Sequence, residues 1–389
     1  MGENTGEAHG RAGEEDEPEA LLPESSFAGG EGKPRNSGGS CTTSMVGRRS
    51  LISMVLLGLS VVGVLLLNSA SPIQIPTFFQ SIKQEYNVSE AKLERVLRRA
   101  SMEDKDKTVI LATLNDAWIE PGSIFDLFLE SFRIGNNTKK LLNHLVLVTW
   151  DHKAYNRCLE LHPHCYQMET KGEGDYGGDT FFMTPKYLHM MWRRTEFLST
   201  VLQTGYSFVF TDLDIMWLRD PFQRFFKDAD FQIACDHFNG NPSDIKNWPN
   251  GGFLYVRSNP KTIDFYKLWL ESRKINPKLN EQDVLNKIKK YPFVSRRNMT
   301  IRFLDTAYIG GFCQMTKYFD KVCTMHANCC VGMDNKITDL RMLLDDWKRY
   351  MALNPADRPN SHPSWSVPNS CRTSFKRSKE KRNKAGSKT

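Results

Sequence analysis

No glycine-rich phosphate loop follows any apolar run of this chain. Neither the P-loop pattern nor GxGxxG occurs there, which disfavours an NTPase and a dinucleotide oxidoreductase. Paired CxxC spacing is also missing among the nine cysteines, which weakens a structural zinc site. Charge of one sign is scarce in the body of the chain. The formal net charge of +7 is spread unevenly, with nine acids against three bases in residues 1–44 and eight bases against one acid in residues 372–389. The residues between have only a slight basic excess, so no nucleic-acid partner is expected. What remains is 389 residues of 40% hydrophobic and 11% aromatic composition, enough for a substantial core. Wholesale disorder and a disulfide-stapled mini-protein are thereby excluded.

Leu51 to Leu67 is one long uncharged apolar run of seventeen residues. At about 1.5 Å per residue, and with Asn68 to Ala70 added, it nearly matches a hydrocarbon layer of roughly 30 Å. It predicts one N-terminal transmembrane signal-anchor over 50–70. A cleaved signal peptide is the rival, but a long polar stretch precedes the run, and Asn68 sits badly at −3 if Ala70 were −1. Arg48 and Arg49 flank the run on its N-terminal side, so the positive-inside bias leaves residues 1–49 as a disordered cytosolic tail. Everything after residue 70 is then expected to be lumenal. A stem is expected over 71–106, with a helix near Ser89 to Arg99, then a folded body over 107–354 and a basic flexible tail over 355–389.

Asn87, Asn136 and Asn298 open glycosylation sequons on the lumenal side. Cys41 falls on the cytosolic side. The eight lumenal cysteines, Cys158, Cys165, Cys235, Cys313, Cys323, Cys329, Cys330 and Cys371, fit up to four disulfides of open connectivity. Zinc at Cys313, Cys323, Cys329 and Cys330 is the competing reading.

Within the body, Thr108 to Thr113, Leu145 to Thr149 and Ser207 to Thr211 read as strands buried on both faces, alternating with helical patterns at Ile124 to Phe132 and from Pro185 to Val201. That order predicts an α/β fold with a doubly wound parallel sheet, whose ligands gather beyond the strand C-termini. The sharpest signal is Ser207 to Trp217, SFVFTDLDIMW. Residues two apart in extended backbone point the same way, so Asp212 and Asp214 can face one pocket and hold Mn²⁺ or Mg²⁺. Such a cation bridges the phosphates of a nucleotide-sugar. Asp104 with Asp106 and Asp228 with Asp230 share the spacing, but neither pair follows a buried strand. Asn250, Gly251 and Gly252 combine close backbone approach with an amide that can serve sugar hydroxyls. Lys336 offers an ammonium for a diphosphate.

Tyr176 to Asp179, Trp192 to Arg194, Phe210 to Phe222, Asn250 to Phe253 and Glu281 to Asp283, taken in order, resemble the plant nucleotide-diphospho-sugar transferase family, glycosyltransferase family 77. The likeness spans roughly residues 107–350. It implies a GT-A fold, a mixed and mainly parallel sheet flanked by helices, a Golgi type II topology, a UDP-sugar donor and retention of anomeric configuration. It further implies that Asp212 and Asp214 bind the metal, with His326 as a late third ligand. Asp283 would lie near the donor sugar as the catalytic carboxylate, and Thr113 and Asn115 would meet the uracil or ribose. Arg193 and Arg194 lie in the helix before the metal strand, where one of them, with Arg194 the donor-binding candidate, can pair with donor phosphate or with Asp179. Trp217 and Trp248 are candidates for stacking on acceptor sugar.

The leading reading is a metal-dependent transferase moving sugar to a cell-wall polysaccharide or glycoprotein acceptor. The alternative is a catalytically inactive, membrane-tethered glycan-binding or scaffold protein of the same fold, against which the intact Asp212 and Asp214 argue. A metal-dependent phosphohydrolase would need further acids or histidines after other strands.

Overall fold

The computed structural model describes residues 89–169, 177, 178, 180 and 182–386. The expected cytosolic tail, the anchor over 50–70, Asn87, and Tyr176 and Asp179 of the first motif lie outside the described residues. Among the described residues no helix is long and apolar enough to cross a membrane.

A helix over residues 89–100 (α1) leads into strand β1, Val109–Leu114. Then follow α2 (Ile124–Ile134), β2 (Leu145–Thr149), α3 (His152–Leu161), β3 (Cys165–Gln167), α4 (Pro185–Gln203) and β4 (Phe208–Thr211). Next come β5 (Ile215–Trp217), β6 (Phe231–His237), β7 (Trp248–Val256), α5 (Pro260–Ile275), α6 (Glu281–Ile288) and α7 (Pro292–Arg296). The chain closes with β8 (Ile301–Phe303), β9 (Ile309–Gly311), β10 (Thr324–His326), α8 (Met333–Ala352) and α9 (Ser370–Gly386).

Seven strands form one sheet in the order β3-β2-β1-β4-β7-β6-β8, and β5-β10-β9 form a second, smaller one. The first four run parallel, β7 runs antiparallel between β4 and β6, and β8 pairs parallel with β6. The sheet is therefore mixed and mainly parallel, with helices on both faces, as the GT-A expectation has it. Strand order reverses at β1, whose neighbours are β2 and β4, and the crevice beyond the strand ends at such a switch point is where ligands bind in open α/β sheets.

Alternation along the strands explains the two-sided core. Ile110, Ala112 and Leu114 join one apolar cluster with α2 and α8, while Val109 and Leu111 join the other with α4 and α5. Helix starts are fixed locally. Thr184 accepts from Tyr187 N at 3.3 Å, with Pro185 opening α4, and Asn280 accepts from Asp283 N at 2.7 Å at the start of α6.

Two segments read as peripheral belong to this core. In α1, placed in the stem from sequence, Leu93, Leu97 and Ala100 are buried in the second cluster. The stretch after 354, read as a flexible tail, is held by Trp365 stacked on Phe319 at 3.7 Å and by the Cys330–Cys371 disulfide. Buried Asp339 accepts from Ser370 N and Cys371 N, and buried Asp346 accepts from Ser366 N. All of these contacts join residues distant in sequence, which composition does not register.

Among the described residues the cysteines form three disulfides, Cys158–Cys165, Cys313–Cys329 and Cys330–Cys371, while Cys235 and Cys323 are free and buried. The zinc alternative is thereby ruled out: three of its four ligands are oxidised, and Cys323 packs in the core.

His162, behind the first disulfide, is buried, with Nε2 donating to Leu145 O at 2.6 Å. Burial pushes its imidazole down to about 4. Below the ordinary value of about 6.5 the unfolded chain takes up a proton that the folded one refuses, so stability present at neutral pH is lost as pH falls towards 4, by roughly 3 kcal/mol. Urea unfolding at neutral pH and near pH 4.5 is expected to show the parent losing about 2 kcal/mol more than a His162→Gln variant. Equal losses contradict this role.

Candidate active site

The aspartate pair is positioned by two ladders. Apolar β4 ends at Thr211, and Asp212 N continues its pairing by donating to Gly252 O of β7 at 2.7 Å. The chain turns as Ile215 N donates to Asp212 O at 3.3 Å, and Leu213 drops into the core at 3% exposure. β5 then pairs antiparallel with β10, setting Ile215 opposite His326, and Ala327 N donates to Asp214 O at 3.0 Å. With Leu213 turned inward, Asp212 and Asp214 face the other way. One ligand atom from each of Asp212, Asp214 and His326 lies within 4.8 Å of the other two.

Each carboxylate is compensated. Arg194, buried in α4, donates to Asp212 Oδ1 at 2.8 Å and to Glu281 Oε1 at 2.7 Å, and lies over the Phe210 ring at 4.7 Å. Asp214 meets Lys336 Nζ through Oδ2 at 2.6 Å and His326 Nε2 through Oδ1 at 3.2 Å. Burial alone would push the Asp214 carboxyl up, but Lys336 and His326 outweigh it and hold it well below the usual range. Asp212 is pushed up, by burial and by Asp214, against the pull of Arg194. Burial opposes charge on His326, yet Asp214 raises its imidazole.

The other aspartate pairs are structural. Asp104 accepts from Thr108 N, Asp228 pairs with Arg302, and Asp230 holds Asn259, Lys261 and Thr300.

A Cβ at Gly252 would stand 2.6 Å from His326 Cε1 and 2.7 Å from Asp212 Oδ2, so only glycine lets β7 pass this close to the cluster. Asn250 Oδ1 accepts from Gly252 N, and its Nδ2 donates to Asp236 Oδ1 at 2.9 Å. Gln282 accepts from Gly251 N at 2.8 Å and donates to Asp236 Oδ2 at 3.3 Å, and Asn328 donates to Asp236 Oδ1 at 2.8 Å. A rim of amides around one carboxylate thus borders the cluster.

The structure brings together Asp212, Asp214, His326, Arg194, Asn250, Gly251, Gly252 and Lys336. Thr113 lies on the flank, one strand over and level with Asp212 in the β1–β4 register. Asn115, just past β1, donates to Gly178 O at 3.2 Å. Three expectations change. Asp283 is exposed, and it is Glu281 and Gln282 that approach Gly251, because successive helical residues point in different directions. The Arg194 guanidinium is shared between the half-buried Asp212 and the buried Glu281, so its observed partners are carboxylates of the site, and Asp179 lies outside the described residues. Trp217 is fully buried, stacked on Phe132 at 4.6 Å with Nε1 donating to Thr211 Oγ1.

Glu281, Gln282 and Asp236 were not singled out as site residues from sequence. Glu281 and Gln282 stood within a quoted motif, whereas Asp236 ends an ordinary strand and carried no signal. Glu281 Oε2 is buried and has no hydrogen-bond partner among the described residues.

Breaking a buried charge network by removing one partner costs about 3–5 kcal/mol. Arg194→Leu should lose stability on that scale in urea unfolding, and Arg194→Leu with Glu281→Leu should lose less than the two single changes summed. Strict additivity contradicts the coupling.

A sequence profile of the nucleotide-diphospho-sugar transferase family matches residues 140–340. The chain is 50% identical over 279 residues to uncharacterized protein At4g15970 of Arabidopsis thaliana, spanning 72% of this chain and 73% of that one. It is 39% identical over 282 residues to uncharacterized protein At1g28695 of the same plant, spanning 72% and 84%. Similarity to the UDP-galactose:fucoside alpha-3-galactosyltransferase of Dictyostelium discoideum is 29% over 176 residues, spanning 35% of this chain and 24% of that one. Among solved structures, the glycosyltransferase GlyE of Streptococcus pneumoniae superposes with a TM-score of 0.39 at 12% identity, spanning 67% of this chain and 65% of that one. A likeness that loose adds nothing to the fold described above.

Proposed function

The chain belongs to the nucleotide-diphospho-sugar transferase family and is a nucleotide-sugar glycosyltransferase, and from that premise we propose that it transfers a sugar from a UDP-sugar to a glycan or glycoprotein acceptor with the help of a divalent cation. The observation that carries the metal reading is the convergence of Asp212, Asp214 and His326 beside a glycine whose Cβ would fill the same space. The donor set fits Mn²⁺ or Mg²⁺: hard carboxylate oxygens and one imidazole. Arg194 holds Asp212 Oδ1 and Lys336 holds Asp214 Oδ2; Asp212 Oδ2 and the atoms of the Asp214 Oδ1–His326 Nε2 pair would hold a cation, which would take the place of that pair's own contact. When bound, such a cation neutralises charge on the departing diphosphate.

This chain's own groups do the rest. Arg194 fixes the orientation of Asp212 and pairs with Glu281, whose carboxyl burial pushes up against the pull of that guanidinium. Lys336 carries a positive charge at the edge of the cluster, where it can balance donor phosphate. Asn250, at the edge of the amide rim, offers hydrogen bonds to donor hydroxyls, and Thr113 and Asn115 line the nucleoside side. For retention of configuration, a front-side displacement through an oxocarbenium-like state suits this site better than a covalent intermediate. Asp283 is exposed, Glu281 is paired with Arg194 through Oε1 while its Oε2 is buried, the Gln282 amide is neutral, and both Asp236 oxygens are held by amides.

The family 77 assignment rests on the ordered motif set. Residence in the Golgi membrane as a type II protein is supported by the Leu51 to Leu67 run and by three disulfides, which suit an oxidising lumen. A cell-wall polysaccharide is the acceptor suggested by the plant family resemblance.

The full chain is expected to release UDP from one member of a UDP-sugar panel in the presence of Mn²⁺, and to stop when the metal is chelated. Asp214→Asn and Gly252→Ala should each lower that rate by about 100-fold or more, a loss of about 2.7 kcal/mol in transition-state stabilisation. Parent-level turnover in either variant misplaces the site, and UDP release that survives chelation removes the cation from the account.

A further inference from the structure

Trp248 is 67% exposed, more than any other large apolar side chain described. On a loose loop that would mean little, but this backbone is fixed on both sides. Asn247 is fully buried, its Oδ1 accepts from Asn239 N at 2.8 Å, and its Nδ2 donates to the carbonyls of Asn241 and Asp244 at 2.7 and 2.8 Å. The Asn247 carbonyl in turn accepts from Lys289 Nζ at 2.7 Å. On the other side Pro249 pairs with Cys235, and Asn250 is bound to Asp236. The indole is therefore presented to solvent by a rigid support, at the cost of leaving apolar area wet.

Its place is as informative as its exposure. Trp248 opens β7 opposite His237, at the same end of the sheet as the Asp212–Asp214 turn. Asn250 comes two residues later and Gly252 four, so at about 3.3 Å per residue the Trp248 backbone stands up to about 13 Å from the candidate metal cluster. Between the two lie Asn250, Gln282, Asn328 and Asp236, the amide rim described above. A sugar chain has this same division of chemistry. Each ring carries an apolar C–H face that stacks on an aromatic plane and a rim of hydroxyls that take hydrogen bonds from amides and carboxylates.

We propose that Trp248 is the acceptor platform of this enzyme. It stacks on a ring of a neutral acceptor glycan, and the amide rim leads the chain end from that ring towards the donor sugar. The inference rests on the UDP-sugar reading above, and names the acceptor class for the same site. Stacking one ring away from the reacting hydroxyl also selects oligosaccharide over single-sugar acceptors, because a shorter acceptor cannot reach both the indole and the cluster.

The test has a donor-free arm and a kinetic arm, both on the full chain in detergent. Binding of neutral oligosaccharides of graded length is followed by saturation-transfer NMR, and acceptor KM and kcat are measured with the UDP-sugar that is turned over. Trp248→Ala is expected to weaken oligosaccharide binding and raise acceptor KM by about tenfold or more with kcat little changed, and Trp248→Tyr to restore most of the loss. Ile275→Ala, equally exposed at the end of α5, should move neither quantity. Unchanged binding and KM in Trp248→Ala overturn the proposal, as does a parent that binds no oligosaccharide or a Trp248→Ala loss confined to peptide acceptors. Oligosaccharide binding that depends on Trp248 without any UDP release would instead sink the donor reading while leaving the platform in place.

Discussion

Two carboxylates and an imidazole gathered at the end of one buried strand are an electrostatic liability, and much of the surrounding structure exists to make them tolerable. A carboxylate taken out of water costs several kcal/mol unless a positive partner is held in good geometry. Asp214 meets that condition through Lys336 and His326, and Asp212 through Arg194. Those partners come from α8, β10 and α4, three elements widely separated in the chain. The cluster therefore depends on the closure of the whole α/β body. The Cys313–Cys329 and Cys330–Cys371 bridges tie down the segment that follows His326 and precedes Lys336.

The legible part of this site was the part that local geometry dictates. An apolar run ending in Asp-Leu-Asp marks the place, but a turn closed by Ile215 N to Asp212 O, rather than the alternation of an extended strand, brings the two carboxylates together while Leu213 enters the core. The buried strands, the alternation with helices and the glycine pair were legible for the same reason, since each follows from a short-range period or from the absence of a side chain. Arg194, by contrast, could be read only as a helical arginine near the site. Its true neighbours, Asp212 and Glu281, are 18 and 87 residues away. The same limit applies to Asp283, Glu281 and Gln282: adjacent helical positions are equivalent in sequence until the sheet decides which of them faces it. It also explains the C-terminal segment, whose basic composition hid the docking of Trp365, Cys371 and the Asp339 cap.

Beyond the cluster, the character of the surface changes in steps. Charges balance the carboxylates at the centre, amides surround Asp236 next to them, and an exposed indole on a rigid support stands at the margin. A diphosphate, a donor sugar and an acceptor chain would present charge, hydroxyls and C–H faces in the same order. That correspondence links the fold to the chemistry more closely than any single motif does, since it requires β4, β6, β7 and α6 to converge on one sheet end.

The central claim is that Asp212, Asp214 and His326 hold a divalent cation. Electron paramagnetic resonance of Mn²⁺ titrated into the full chain with UDP present reads this directly, because the free hexaaqua ion gives a sharp signal that is lost on binding. The account predicts depletion of that signal to the level of one ion per chain, and its return in a His326→Ala variant. A free-ion signal undiminished by the parent protein, or depletion that His326→Ala leaves untouched, would contradict it.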